Sequence, residues 1–368
     1  MIIKRFRAEN FRNIEKCDIE FSPGVNLLYG KNAQGKTNVV EGIYYFSRGR
    51  SFRGREDKEL VRFGTEGFRI SLDFQDGCGD GSLEYAMFGK ERLRKKNGYR
   101  ITKVTEMIGS FKAVLFYPDN LSLVKDGPEE RRSFLNIAAS ACYTPYIRYY
   151  SDYKKALENR NCILKMMQKG LFIDRAELDS WSSSMAEYAS HIYLMRLDYI
   201  KRLTVYAKDV MRDISDGDEE LTLFYESNIE AELTDRAAVK AEYERILSSS
   251  LDREIAAGVS LFGPHREDID IRINGKSARA FASQGQQRSI VLAMKLAEGE
   301  VIKEICGEYP VFLFDDVLSE LDDKRRKYVL EGKGDRQIII TGCNKSECIG
   351  FTDKEIEVTG GRYVSSHW

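Results

Sequence analysis

The sequence predicts an α/β fold whose central parallel sheet is assembled from both ends of the chain around a long helical insertion. Three observations point there. First, Gly30, Lys31, Asn32, Ala33, Gln34, Gly35, Lys36 and Thr37 complete a G-x-x-x-x-G-K-T loop. It follows the apolar run at 25–29 and precedes a helical pattern at 38–47, the strand–loop–helix context this motif requires. Second, residues 310–314 are continuously apolar, as in a strand buried on both faces, and end in Asp315 and Asp316. Third, from 129 to about 250 strand-like alternation gives way to apolar residues spaced by three and four.

The N-terminal lobe shows short strands at 3–8, 17–21, 68–74, 83–88 and 99–104, with Asn97 and Gly98 as a hairpin turn between the last two. A further strand is expected at 111–116. In the middle, Tyr146, Tyr149, Tyr153, Ala156, Arg160, Leu164 and Met167 step along one helix. Leu178, Trp181, Met185, Tyr188, Ile192, Met195, Tyr199, Leu203, Tyr206 and Val210 step along a second, with Lys169, Gly170 and Asp174 at the turn. This predicts a short antiparallel coiled-coil arm of roughly 30–50 Å at 1.5 Å per residue. Its aromatic stripe reads as packing rather than base stacking. Residues 213–220 read as a solvated acidic turn. A helix at 290–306 and a strand at 337–340 complete the pattern, dividing the chain into 1–128, 129–250 and 251–368.

Composition bounds the function. The chain has 368 residues, 42% hydrophobic and 31% charged, a soluble globular balance that fits two domains or one domain with a large insertion. No apolar run approaches a membrane span of about 20 residues, and the start lacks a signal-peptide core, so a cytoplasmic protein away from membranes is expected. Seven cysteines without a C-x-x-C pair fit reduced thiols. The net charge is −1, so any nucleic-acid surface must be local. Arg94, Lys95, Lys96 and Arg100, crowded with Lys90, Arg92 and Lys103, are one candidate; Arg53 and Arg55, after Arg48 and Arg50, are another. Edge lysines that deter strand-to-strand aggregation are the competing reading of the first cluster.

The loop chemistry is specific. Its backbone N–H groups can cradle β- and γ-phosphates, with Lys36 as a point charge and Thr37 as a hydroxyl for Mg²⁺. Asp315, on a neighbouring strand, would hold that metal through water. A nucleoside triphosphate is therefore the expected ligand. Ser283, Gly285 and Gln286 open a helix, where free N–H groups and the dipole favour a second anion; taken alone, Ser283 reads as an ordinary N-cap.

These motifs add up to a resemblance. Residues 9–13, 30–38, 51–53 and 116–121, Gly127, Pro128, Arg131 and Arg132, then 263–266, 281–288 and Asp315 with Asp316 span nearly the whole chain. On them the sequence resembles the RecF family of bacterial recombination-repair ATPases, within the SMC and ABC class. The resemblance implies an SMC/ABC-type ATPase head with ATP and Mg²⁺, an ATP-dependent homodimer, and binding to single- or double-stranded DNA at gaps or junctions. It further implies work with RecO and RecR in loading RecA, and a part in replication and the SOS response to DNA damage. It makes Ser283, Gly285 and Gln286 a signature that meets the γ-phosphate on the opposite subunit, and Ser319 and Asp322 a D-loop. Lys36, Asp315 and Asp316 become the catalytic set. Arg12 reads equally as a phosphate or base contact and as a surface salt bridge.

Departures from the wider class matter. Asp316 stands where most members carry glutamate, and one methylene less implies slow hydrolysis suited to a timing switch. No glutamine follows the 111–116 strand, where Asp119 and Asn120 stand instead. Thr341, Gly342 and Cys343 occupy the place of a switch histidine. His265 reads as a structural hydrogen bond or as a contact to nucleotide or DNA. Asn344, Lys345, Ser346 and Glu347 resemble a guanine-reading motif, but Asp315 lacks the following switch glycine of a GTPase. A transporter subunit would place its signature nearer the phosphate loop. A clamp that uses ATP only as a dimerisation switch shares every motif.

Overall fold

The structure, a computed structural model, describes residues 1–171, 174–229, 233–331, 336–348 and 350–366. The chain opens with β1 (Ile2–Phe11) and β2 (Ile14–Glu20), then β3 (Val25–Tyr29), which leads through the phosphate loop into α1 (Lys36–Arg48). β4 (Gly67–Asp76), β5 (Gly79–Phe88), β6 (Glu91–Lys96) and β7 (Tyr99–Ile101) complete an antiparallel sheet ordered β2-β1-β4-β5-β6-β7, and β8 (Ala113–Phe116) follows. Next come α2 (Ser122–Lys125), α3 (Pro128–Cys142), α4 (Tyr146–Gln168), α5 (Arg175–Ile214), β9 (Leu221–Glu226), α6 (Arg236–Ser249) and α7 (Leu251–Ala257). β10 (Asp268–Ile273), β11 (Lys276–Ser277) and α8 (Ala278–Phe281) lead to α9 (Gln284–Cys306). The chain closes with β12 (Val311–Asp315), α10 (Asp323–Leu330), β13 (Ile338–Gly342), β14 (Lys354–Thr359) and β15 (Arg362–Ser366).

Two compact units result, one of Met1–Leu121, Asp209–Asp218 and Gln284–Trp368, the other of Ser122–Lys208 and Glu219–Ser283. The divisions fall near 121 and 283, against the 128 and 250 expected. In the first unit the sheet β15-β14-β3-β13-β12-β8 joins strands from both ends of the chain. All its neighbours are parallel except β14 and β15. β12 and β13 are buried at every position, which explains their unbroken apolar runs. α1 is buried nearly all round: Val39, Val40, Ile43, Tyr44, Tyr45 and Phe46 belong to one core with Phe6 and Tyr85 of the antiparallel sheet and Leu313 and Ile339 of the parallel one. A helix held between two sheets needs that composition. The phosphate loop is thus anchored at both ends by core elements.

In the second unit α4 and α5 run antiparallel. Arg160 Nε donates to Ser182 Oγ at 2.9 Å, Tyr149 stacks on His191 at 3.9 Å, and Arg196 Nε donates to Tyr146 Oη at 2.9 Å. Residue numbers fall on one helix as they rise on the other. The aromatic stripe is core, as expected: Tyr146, Tyr153, Tyr193 and Tyr243 share one cluster. A buried charge sits inside it. Glu267 accepts from Tyr243 at 2.5 Å and from Tyr225, and lies 3.6 Å from Arg196. Burial pushes the Glu267 carboxyl up while Arg196 opposes the shift. Removing one partner of such a pair typically costs about 3–5 kcal/mol, so this network holds the helices to one arrangement.

Three expectations are corrected here. The Asn97–Gly98 turn joins β6 to β7, not 83–88 to 99–104, because the charged strand β6 intervenes. The helical region also carries a strand, β9, which begins directly after the acidic turn and joins β10 and β11 from beyond 250 in a three-stranded sheet ordered β11-β10-β9. That turn is not merely solvated: Asp216 pairs with Lys324 at 2.5 Å and Asp213 accepts from Tyr328 at 3.1 Å.

Candidate nucleotide site

The loop between β3 and α1 needs its glycines. Gly30 has φ +151, and a Cβ there would sit 2.2 Å from the Val358 carbonyl oxygen; Gly35 has φ +111, with a Cβ 2.9 Å from Tyr363 Oη. The backbone therefore curls against the β14–β15 hairpin where a side chain has no room. Lys36, 4% exposed, arches back so that Nζ donates to Gly30 O at 2.7 Å and Lys31 O at 3.0 Å. Three fastenings hold the loop. Asn13 Nδ2 donates to Ala33 O at 3.0 Å, Gly360 N to Gln34 Oε1 at 2.6 Å, and Cys343 Sγ to Asn32 Oδ1 at 3.0 Å. The side-chain oxygens of Asn32 and Gln34 thus help to fasten the loop.

Parallel pairing brings the second carboxylate motif to this loop, with β13 between β3 and β12. Thr37 Oγ1 donates to Asp315 Oδ1 at 3.0 Å, and Thr341 Oγ1 donates to the same oxygen at 2.8 Å. Burial raises the Asp315 carboxyl, the hydroxyls oppose that, and the adjacent Asp316 adds to it. A buried carboxylate beside a hydroxyl is a hard-oxygen pair that suits Mg²⁺, which keeps water and phosphate as its other ligands. Thr37 and Asp315 are the residues that would hold that ion. Asp316 takes the left-handed conformation, φ 53, and lines the cleft.

That cleft, about 600 Å³, is also lined by Arg12, Asn13, Lys36, Thr37, Arg53 and Phe63, within the usual size of a small-ligand site. A larger cleft of about 840 Å³ lies along β1 and β2, but its charges pair among themselves: Lys4 with Asp80 at 2.6 Å, Arg7 with Asp73 at 2.9 Å. At the nucleotide cleft, buried Glu41 gathers a polar cluster. Arg12 donates to it twice, at 3.0 and 2.6 Å, and Ser51 Oγ at 2.5 Å, while Arg53 stands 3.9 Å away. Arg12 therefore makes a salt bridge, to a buried rather than a surface partner, while still bordering the cleft. Arg53 donates to Asn38 Oδ1 at 3.0 Å and faces the phosphate loop, a place different from the DNA surface expected for it with Arg55. Asn13, Asn38 and Glu41 were not singled out from sequence as site residues, though Asn13 and Asn38 lay in family motifs, and Thr341 was seen only as standing where a switch histidine would; Glu41 reads as an ordinary helix acid.

Ser283 is exposed and immediately precedes α9, with Gly285 exposed and Gln286 half-buried in its first turn. Asp322 caps α10, accepting from Arg325 N at 2.9 Å, and pairs with Arg325, whose Nη2 donates to Ser289 Oγ of α9 at 2.7 Å. Ser319 Oγ lies 3.4 Å from Asp316 O. The segment after Asp316 is thereby tied to the helix that Ser283 opens. Asn120 is turned inward, accepting from Tyr117 N at 3.0 Å, and Asp119 is exposed. His265 is structural: its Nδ1 shares a 2.6 Å hydrogen bond with Tyr153 Oη, and burial lowers its pKa to about 4, so it is neutral at neutral pH.

The basic hairpin is not one continuous face. Arg92, Arg94 and Lys96 pair in register with Met87, Tyr85 and Leu83 on the core side, and Arg94 lies over the Tyr85 ring at 5.1 Å. Lys95, opposite Arg100, faces the other way and pairs with Glu84 at 3.2 Å. Lys96, Tyr99 and Arg100 are exposed.

The profile of the RecF/RecN/SMC N-terminal domain matches residues 2–361. A DNA replication and repair protein RecF of Clostridioides difficile (strain 630) is 38% identical over 366 residues, 97% of this chain and 96% of its own. The chain belongs to the RecF family. Another RecF, from Acetivibrio thermocellus, is 38% identical over 98% of this chain and 99% of its own. A solved recombination mediator protein RecF–ATP of the RecFOR pathway matches with TM-score 0.91 at 34% identity, covering 100% of this chain and 97% of that one. The Smc head domain of Pyrococcus furiosus, solved with the C-terminal domain of ScpA, matches at TM-score 0.59 and 17% identity, which shows a shared SMC-head fold. RecF-family membership thus agrees with the expected SMC/ABC-type head. No helix among the described residues is long and apolar enough to cross a membrane.

Proposed function

We propose that this chain is a Mg²⁺-dependent ATPase of recombinational repair that binds ATP and DNA, dimerises on ATP and hydrolyses it slowly. The observation that carries the reading is the Thr37–Asp315 contact at 3.0 Å, which joins a phosphate loop to a carboxylate strand from the other end of the chain. Lys36 and the loop N–H groups bind the β- and γ-phosphates, Thr37 and Asp315 hold Mg²⁺, and Asp316 positions the attacking water. Bound Mg²⁺ supplies charge neutralisation at the transferring phosphoryl group. Ser283, Gly285 and Gln286 serve the nucleotide of a second copy. The family resemblance supports RecO and RecR as partners, RecA loading, the SOS response and a cytoplasmic location; seven cysteines without a C-x-x-C pair agree with a reducing compartment.

Dimerisation tests the arrangement. Ser283→Arg is expected to leave a monomer with parental ATP affinity that no longer dimerises on ATP by light scattering. A variant that dimerised normally on ATP would defeat the two-subunit arrangement.

The DNA surface is refined by the hairpin geometry. Lys96 and Arg100 are the exposed cations at its tip, whereas Arg94 and Lys95 have partners within the sheet. The double change Lys96→Glu with Arg100→Glu should weaken DNA binding and flatten its log–log salt slope by about 1.8, two phosphates' worth. ATP affinity without DNA should stay the same. An unaltered slope would move the DNA site away from this hairpin.

A further inference from the structure

Thr341 occupies an unusual position for a polar side chain. Residues Ile338, Ile339 and Ile340 precede it on β13, all buried, and Thr341 itself is 1% exposed. Its hydroxyl makes three contacts. Oγ1 donates to Asp315 Oδ1 at 2.8 Å, accepts the Asp316 backbone N–H at 2.9 Å, and lies 3.4 Å from Asp316 Oδ1. A hydroxyl has one proton and two lone pairs, so the proton goes to Asp315 while a lone pair holds the Asp316 amide. We infer that Thr341 is a positioning residue that sets both carboxylates of the hydrolytic pair through this one hydroxyl, a role that rests on the ATPase reading above.

Two features make the hydroxyl more than packing. Asp316 is held at φ 53, a conformation non-glycine residues adopt rarely, and its N–H is fixed there by Thr341. Asp315 Oδ1 receives two hydroxyls, but Thr37 is also the residue expected to face the metal. Thr341 is then the Asp315 partner for which no ligand competes. With Oδ1 held by Thr341, the carboxylate would keep one orientation toward a bound Mg²⁺. A strand alone would be served equally by valine, which has the same branched shape without the hydroxyl.

The test uses the full chain with Thr341→Val, Thr341→Ser and Thr341→Ala. The valine variant should fold with a lowered thermal midpoint, since it leaves the Asp316 amide and one hydrogen bond to Asp315 unmade, and should keep the parental affinity for ATP without Mg²⁺. Its response of ATP affinity to Mg²⁺ should weaken, raising KM for Mg–ATP in step, and its kcat at saturating ATP and Mg²⁺ should fall, each on the order of 10–100-fold, as for groups that orient metal ligands. Serine should restore both. If valine does not fold, alanine and serine give the same comparison: alanine impaired and serine active supports the role. A folded valine or alanine variant with parental kcat and Mg²⁺ response would overturn it. So would serine failing as badly as valine. A parent that binds ATP no better than its Lys36→Met variant would instead overturn the ATPase reading, so the two failures are distinguishable.

Discussion

Lys36→Met is expected to abolish measurable ATP hydrolysis and to weaken ATP binding by about two orders of magnitude. The ammonium is held inside the loop by Gly30 O and Lys31 O, 4% exposed, where its charge is poorly screened by water. A hydrogen bond from a charged group contributes about 1.5–3 kcal/mol, and this ammonium is placed to serve two phosphates. Methionine keeps the aliphatic stem and removes every donor. Because Val39, Val40 and Ile43 bury α1 independently of the lysine, the variant should melt close to the parent. Equilibrium titration with ATP, steady-state phosphate release and a thermal melt check the three parts. A folded variant hydrolysing at the parental rate would remove the loop from the catalytic site.

What could be seen in the sequence was chemistry that demands particular residues at fixed spacing. The phosphate loop needs its glycines, and β12 needs an apolar run because it is buried on both faces, so both were legible, as was the α4–α5 seam. β6 was missed because its cations fall on both faces: Arg94 lies over the Tyr85 ring while Lys95 turns to Glu84. That reads as a charged loop, since the alternation that marks a half-buried strand is absent. β9 was hidden for another reason, its length: six residues, separated from a 40-residue helix only by the acidic turn. Residues that matter only through tertiary contact carried no local signal. Glu41 looks like any helix acid until Arg12 and Ser51 converge on it, and Thr341, legible only as standing where a switch histidine would, meets the carboxylate pair once β13 is laid beside β12. Arg53 was grouped with neighbouring cations because sequence proximity suggested a shared surface. The turn after α1 instead brings it to Asn38 and the cleft.

The adjacent carboxylates should separate when changed singly. Asp315 is 4% exposed, with Oδ1 accepting from Thr37 and Thr341, and in the function proposed above it is the carboxylate that holds the metal. Asp315→Asn removes the charge that would face Mg²⁺, and the Mg²⁺-dependent part of ATP affinity should fall. Asp316 lies in the cleft with φ 53, held by its own amide to Thr341 rather than by its carboxylate. Asparagine tolerates the left-handed region as well as aspartate does, so Asp316→Asn should leave the backbone in place and remove only the carboxylate proposed to act on the attacking water. Loss of a general base costs roughly 10²–10⁴ in rate, while substrate binding does not depend on it. Asp316→Asn should therefore bind ATP and Mg²⁺ as the parent does, stop turning over, and persist as an ATP-bound dimer in light scattering long after the parent has returned to monomer. Asp315→Asn should form less of that dimer, because it binds Mg²⁺–ATP poorly. Equal loss of ATP binding in both variants would show that the two carboxylates do not divide metal holding from water activation.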